Sequence, residues 1–258
     1  MTTVAILQAR CSSTRLPGKV LLPILGAPML SRQIDRVQRA KTIDQIVVAT
    51  SLNSEDDAIE AMCVDRGVNC FRGSLDDVLG RFNACAEAYG ADIVVRLTGD
   101  CPLADPDIID LIVQSHVERK ADYTSNVHPP TWPDGLDVEV LQRDVLTAAA
   151  AEAKLASERE HVTSYIVKHH DRFRMSNVAL SPDRSDLRLT VDEQVDFELV
   201  SKIFEAFLPA NPTFGYEDVL SLLDANSGLL EINAGISRNH GSQNPVDGHP
   251  HLMNCRKH

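Results

Sequence analysis

The amino-acid sequence predicts a single α/β domain with a mostly parallel central sheet and a mixed second half. Three observations support this. Short apolar runs alternate with amphipathic stretches through the first 120 residues, the pattern of strands covered by helices. Beyond residue 120 the strand-like pieces become shorter and less regular. No linker rich in Gly, Ser or Pro interrupts the chain before residue 236, so residues 1–236 are expected to form one unit.

In order, strands are expected over residues 4–7, 45–50, 68–72 and 92–97, each an apolar run of strand length. Helices are expected near 29–40, 56–66, 76–89 and 107–118, several opening with Asp, Ser or Pro in the first turn, as helix starts prefer. The second half carries strand-like pieces at 122–126, 136–141, 173–180 and 187–191, with helices around 143–153 and 158–169 among them. Helices near 193–207, 216–223 and 228–233 finish the ordered part. The polar, aperiodic stretch 237–258 is expected to be loose or to extend onto a neighbouring subunit.

Composition narrows the function. With 258 residues the chain can bury a full core, and 43% hydrophobic with 24% charged residues is ordinary for a globular protein. A net charge of -12 argues against nucleic acid or an anionic membrane surface as the main partner. No stretch reaches the ~20 apolar residues of a membrane span, and the first residues lack a basic-then-apolar signal. Six cysteines without a CxxC pair suggest a reducing cytoplasm, with Cys11 and Cys101 read as space-filling. The histidines show no metal-ligand spacing: His240, His249, His251 and His258 sit in the tail, and His169-His170 suits a helix C-terminus.

The most informative segment follows the first strand: Gln8-Ala9-Arg10-Cys11-Ser12-Ser13-Thr14-Arg15-Leu16-Pro17-Gly18-Lys19. Three cations, three hydroxyls and a glycine, with no acid, run against the acidic trend of the chain. Arg offers paired planar donors, Lys a point charge, and Gly lets backbone approach a ligand, so the loop suits a polyphosphate. The plain alternative is a solvated basic loop ahead of a helix. The segment is neither a P-loop nor a dinucleotide fingerprint, since GxxxxGK[ST] and GxGxxG are both absent here. Asp100 ends an apolar strand, where a carboxylate points into the crevice used by ligands. Asp192 follows another strand-like run, although with Glu193 it could instead open the next helix; Asp196 lies one turn further on.

The loop at 8–19 resembles the signature of sugar-activating nucleotidyltransferases with a glycosyltransferase-A-like fold. More narrowly it is similar to the cytidylyltransferases that make CMP-activated acidic sugars, and within them to the group named for spore coat polysaccharide biosynthesis protein F. Later segments match in order: Phe71-Arg72-Gly73-Ser74 with Asp76-Asp77-Val78-Leu79-Gly80-Arg81-Phe82; Val95-Arg96-Leu97-Thr98-Gly99-Asp100-Cys101-Pro102-Leu103; Trp132-Pro133-Asp134-Gly135-Leu136-Asp137-Val138-Glu139; Arg159-Glu160-His161-Val162-Thr163; and Leu187-Arg188-Leu189-Thr190-Val191-Asp192. The resemblance runs from residue 4 to about 240.

It implies a single Rossmann-like, glycosyltransferase-A-type domain that transfers CMP from CTP to a sugar acid of the sialic/nonulosonic or 3-deoxy-octulosonic type. Pyrophosphate is released, Mg²⁺ assists, and the product serves surface polysaccharide or glycan biosynthesis. Arg10, Lys19 and Asp100 become the catalytic candidates. Ala9, Arg10, Ser12, Ser13, Arg15, Lys19, Arg72 and Ser74 become the nucleotide-binding ones, with Arg15 either touching phosphate or bracing the loop. Asp100 and Asp192 become metal ligands, the type of carboxylate donor a small hard cation takes beside phosphate oxygens. Asp134, Asp137, Glu139, Arg159, His161 and Arg188 fall to the acceptor, with a structural network of Arg159 to Glu139 or Asp137 as the alternative. A cytoplasmic homodimer is also implied. Open alternatives are another NTP, a non-sugar acceptor such as a phosphonate, or a nucleotide-binding partner without turnover. Intact Asp100 and Asp192 speak against the last. A glycosyltransferase of similar fold would carry an Asp-x-Asp pair, and Asp134-Gly-Leu-Asp137 has the wrong spacing for one.

Overall fold

The first strand, Thr3–Gln8 (β1), is apolar from Val4 to Leu7 because both of its faces are covered. Val4 and Ile6 enter one core layer, while Ala5 and Leu7 enter the other. A run without alternation is what a parallel strand buried on both sides requires. The computed structural model describes residues 1–236 and Arg238; the rest of the expected tail, with Cys255 and His240, His249, His251 and His258, lies outside the described residues.

A small hairpin of Pro23–Ile24 (β2) and Ala27–Pro28 (β3) leads into Met29–Val37 (α1). Then come Gln45–Ser51 (β4), Asp57–Asp65 (α2), Asn69–Gly73 (β5), Val78–Ala88 (α3), Ile93–Thr98 (β6) and Pro106–Glu118 (α4). The second half adds Tyr123–Ser125 (β7), Glu139–Gln142 (β8), Arg143–Glu152 (α5), Ala156–Glu160 (α6), Ser164–Lys168 (α7) and Met175–Asn177 (β9). Gln194–Phe207 (α8), Tyr216–Ala225 (α9) and Ser227–Leu230 (α10) follow. The sheet order is β5-β4-β1-β6-β8-β7-β9. The first four strands are parallel, and β8 runs antiparallel to both β6 and β7. This is the mostly parallel sheet with a mixed second half that the sequence predicts. Helices α1, α2, α4, α8 and α9 cover one face, and α3, α5 and α7 the other.

Two helix starts read from the sequence have their caps. Asp77 accepts from the Gly80 amide at 2.9 Å, and Asp105 accepts from the amides of Asp107 and Ile108 at 3.0 and 3.2 Å. The sequence does hold one Asp-x-Asp pair outside the mid-chain segment, Asp105-Pro106-Asp107, but Asp105 caps α4 and Asp107 lies in its first turn. Among the described residues, no helix is long and apolar enough to cross a membrane.

Four expected elements differ. The strand-like piece 173–180 keeps only Met175–Asn177 as strand, because the Trp132 and Thr131 side chains take the Val178 carbonyl and the Leu180 amide, both at 2.8 Å. The helix over 158–169 is two short helices, because Val162 turns inward to full burial between them and His161 leaves the helical region at φ -100, ψ 86. The strand over 136–141 begins only at Glu139. The Asn126 side chain bonds the Leu136 carbonyl and the Val138 amide, both at 2.8 Å, and so replaces the ladder there. The piece 187–191 does not join the sheet. Its backbone is taken by a turn and a loop: Asp134 and Leu187 bond at 2.9 Å, Leu189 and Asp134 at 2.6 Å, and the Val191 amide bonds the Asp100 carbonyl at 2.8 Å.

Candidate active site

The sheet register assembles the site. In the parallel pairing of β1 and β6, Gln8 lies opposite Thr98, so the loop after β1 and the turn after β6 leave the sheet side by side. The Gly99 amide bonds the Gln8 carbonyl at 2.8 Å, and a Cβ on Gly99 would meet that oxygen at 3.0 Å and the Ala9 Cβ at 3.1 Å. Ala9 and Gly99 thus bring the two chains close and aim Asp100 toward the basic loop.

The loop is folded by its own backbone. The amides of Ser13 and Gly18 both bond the Cys11 carbonyl, at 2.8 and 2.9 Å, and Gly18 adopts φ +69 to close the turn. The Cys11 amide is held by buried Asp56 at 2.7 Å. Burial and Asp56 push the Cys11 thiol up to about 11, which fits a space-filling role. Ser13 Oγ accepts from the Leu16 amide at 3.3 Å, the Ser12 hydroxyl is buried within the loop, and Arg10 is half-buried.

Lys19 is the centre of the cluster. Its ammonium, on a residue only 8% exposed, bonds the Val191 carbonyl at 2.8 Å, Asp192 at 2.9 Å and Asp100 at 3.4 Å. Burial works against its charge, but the two carboxylates outweigh that and lift its pKa above the ordinary lysine value. Burial likewise disfavours the Asp100 anion, yet Lys19 leads the opposing interactions that hold its carboxyl below the usual range. Arg15 reaches Asp192 at 2.8 Å and Glu193 at 3.8 Å, the bracing alternative for this residue.

Asp192 is held from behind as well. Arg188, buried, bonds Asp192 at 3.1 Å, Asp134 at 3.0 Å and both oxygens of Asp196 at 2.9 Å. Four cations (Arg15, Lys19, Arg188, Arg238) therefore face six carboxylates (Asp100, Asp134, Asp137, Asp192, Glu193, Asp196). The surplus is negative and lies next to two carboxylates that share one ammonium. Among the described residues no group of three or more His, Cys, Asp and Glu side chains is placed to hold a metal. Asp100 and Asp192 are oxygen donors of the kind that could hold a hard divalent cation together with oxygens of a ligand.

Beyond Asp134, Glu139 is buried, accepts from Tyr123 at 2.6 Å and pairs with Arg96. Burial opposes its charge, and Arg96 foremost holds it below the glutamate range. Asp137 bonds Arg238 at 2.6 Å, but burial, reinforced by Asp134 and Glu139, pushes its carboxyl up to about 7. Arg238 also donates to the Trp132 carbonyl at 3.0 Å.

Other candidates go elsewhere. Arg72 donates to the carbonyls of Ser51 and Asn53 at 2.8 and 2.7 Å and to Asp57 and Glu60 at 2.7 and 2.8 Å, at the sheet edge. Ser74 Oγ accepts from the Asp77 amide at 3.1 Å. Arg159 pairs with Asp77, not with Glu139 or Asp137 as the network alternative had it, because α6 packs on α3. His161 is exposed between α6 and α7. The residues that sequence reasoning passed over are Arg96, Arg238, Asn233 and the bonding role of Asp196. Arg96 had a signal, being a cation inside an otherwise apolar strand.

The sheet order, with a cationic loop facing carboxylates across adjacent strand ends, is that of a nucleotidyltransferase. A solved cytidylyltransferase from Leptospira borgpetersenii superposes with a TM-score of 0.86 at 32% identity, covering 92% of this chain and 100% of that one. The family model described as Cytidylyltransferase matches residues 4–224, and the chain belongs to that family of nucleotidyltransferase enzymes. It is 34% identical to spore coat polysaccharide biosynthesis protein SpsF of Bacillus subtilis, over 86% of this chain and 93% of that protein. It is also 41% identical to the 3-deoxy-manno-octulosonate cytidylyltransferase of Zea mays, over 43% of this chain and 38% of that enzyme.

Proposed function

We propose that the chain is a Mg²⁺-dependent cytidylyltransferase that transfers CMP from CTP to a sugar acid of the sialic/nonulosonic or 3-deoxy-octulosonic type, supplying surface polysaccharide or glycan biosynthesis. The observation behind this reading is the Lys19 ammonium shared by Asp100 and Asp192 beside a loop bearing Arg10 and Arg15. The spore coat polysaccharide and 3-deoxy-manno-octulosonate names of the relatives support the choice of acceptor class. A cytoplasmic homodimer belongs to the same reading.

In the proposed reaction a hydroxyl oxygen of the sugar acid attacks the α-phosphorus of CTP. The bond from that phosphorus to the bridging oxygen of the β-phosphate breaks, pyrophosphate leaves carrying that oxygen and the bonding electrons, and the hydroxyl proton passes to solvent. Arg10 and Lys19, with Ser12, Ser13 and backbone at Ala9, hold the triphosphate and meet the charge that builds up on it. A divalent cation on Asp100 and Asp192 would neutralise phosphate oxygens. Asp134, Asp137 and Glu139 line the acceptor side, and Asp137 is the carboxyl there that titrates near neutral pH.

The test is to incubate the protein with CTP, Mg²⁺ and a panel of keto-sugar acids, phosphonates and other non-sugar acceptors, and to determine the masses of the products. A CMP conjugate of one acid, formed with an equivalent of pyrophosphate, is the expected result. Conjugates only with phosphonates or other non-sugar acceptors would refute the acceptor class.

A further inference from the structure

Asp192 sits on a short irregular segment, and nothing in its own backbone fixes where its carboxylate points. Lys19 and Arg15 both draw on Oδ1, at 2.9 and 2.8 Å. Oδ2 is held by Arg188 at 3.1 Å. The guanidinium of Arg188 is itself immobilised on Asp196, with Nε and Nη2 each 2.9 Å from a different carboxylate oxygen. This is the two-point fork that lysine cannot reproduce. Asp196 is fully buried and takes further bonds from the amides of Asp192 and Glu193 at 3.0 and 2.9 Å and from the Asn233 amide group at 2.9 Å. That same Asn233 group donates to the Arg188 carbonyl at 3.0 Å, closing the frame.

We infer that Arg188, framed by Asp196 and Asn233, is a positioning residue that orients the Asp192 carboxylate for a divalent cation and ties it to the Trp132–Gly135 turn through Asp134. The charges make this workable. Asp196 balances Arg188, and Asp134 is shared between Arg188 and Arg238, so Arg188 orients Asp192 by a hydrogen bond while Lys19 and Arg15 are its closer counter-charges. The geometry also links the two halves of the site: Asp134 bonds Arg188 at 3.0 Å and lies on the turn that leads into Asp137 and Glu139. The inference rests on the proposed role of Asp192 as a metal ligand.

The test reads binding, not turnover. CTP dissociation constants are measured calorimetrically with and without Mg²⁺, and their ratio reports what the cation adds. Arg188→Lys keeps the charge and loses the fork. It is expected to lower that ratio at least about tenfold, the usual effect of removing a residue that orients a metal ligand, with metal-free CTP affinity unchanged. Asn233→Ala, a milder disturbance of the frame, is expected to lower the ratio by a smaller factor and serves if the first variant fails to fold. A purely structural role would lower the melting temperature and leave the ratio at the wild-type value in both variants, which overturns the inference. Asp192→Asn separates the two claims. If it too leaves the ratio unchanged, the metal-ligand reading fails; if it alone abolishes the ratio, only the role of Arg188 fails.

Discussion

The ammonium of Lys19 bonds the carboxylate of Asp192 at 2.9 Å across 173 residues of sequence. Asp100, 81 residues from Lys19, shares the same ammonium at 3.4 Å. One ammonium thus bridges two partly buried carboxylates, while Arg15 and Arg188 hold Asp192 alone. Lys19→Met should leave them repelling each other, with Asp192 still held by Arg15 and Arg188. Because both carboxylates retain some solvent contact, the expected loss is about 2 kcal/mol, below the range for a fully buried pair. Scanning calorimetry should find the variant less stable in metal-free buffer and restored more strongly than wild type by Mg²⁺. Equal melting of the two proteins in metal-free buffer would contradict this.

Gly135 is irreplaceable on geometric grounds. Its φ is +105, and a Cβ there would lie 2.4 Å from the Thr190 amide nitrogen and 2.5 Å from the Leu189 carbonyl carbon. Gly135→Ala must therefore separate the Trp132–Gly135 turn from the 187–191 segment, at a cost of at least about 2 kcal/mol. Urea unfolding measures it, and a loss under half that figure would show that the turn can move freely.

Mild acid should weaken the fold through His116. Burial pushes its pKa from 6.5 down to about 4, while its ring nitrogens stay on Thr124 at 3.1 Å and Gln142 at 3.0 Å. The folded protein keeps the ring neutral where the unfolded chain binds a proton. The stabilisation is complete above about pH 6.5 and is lost as pH falls toward 4. His116→Asn should flatten the dependence of unfolding free energy on pH across that window. An unchanged slope would mean that other groups set it.

Much of the architecture was legible because burial leaves a mark on composition. β1 and β4 hold central apolar runs, and β6 one interrupted only by Arg96, since helices cover both of their faces, and Asp77 and Asp105 announced α3 and α4 by capping them. Elements whose backbone bonds go to side chains or turns leave no such mark. Asn126 ends a ladder by its amide, and the 187–191 segment has a strand's apolar pattern because it is buried, although it pairs with a turn. The site follows the same division. Arg10, Arg15 and Lys19 stood out against an acidic chain, and Asp100 and Asp192 by their place after apolar runs. The partner that Arg159 takes, the four-point capture of Arg72 and the frame around Arg188 depend on contacts between distant segments. A single sequence holds no period or spacing from which to read those.

The most direct measurement of the central claim is pyrophosphate release from each of CTP, UTP, ATP and GTP, with a keto-sugar acid acceptor, with and without Mg²⁺, for the wild type and Asp100→Asn. Release from CTP alone, only with Mg²⁺, and lowered about a hundredfold or more in a variant that folds normally is the predicted result. Release from UTP or ATP but not CTP, or full activity in Asp100→Asn, would contradict it.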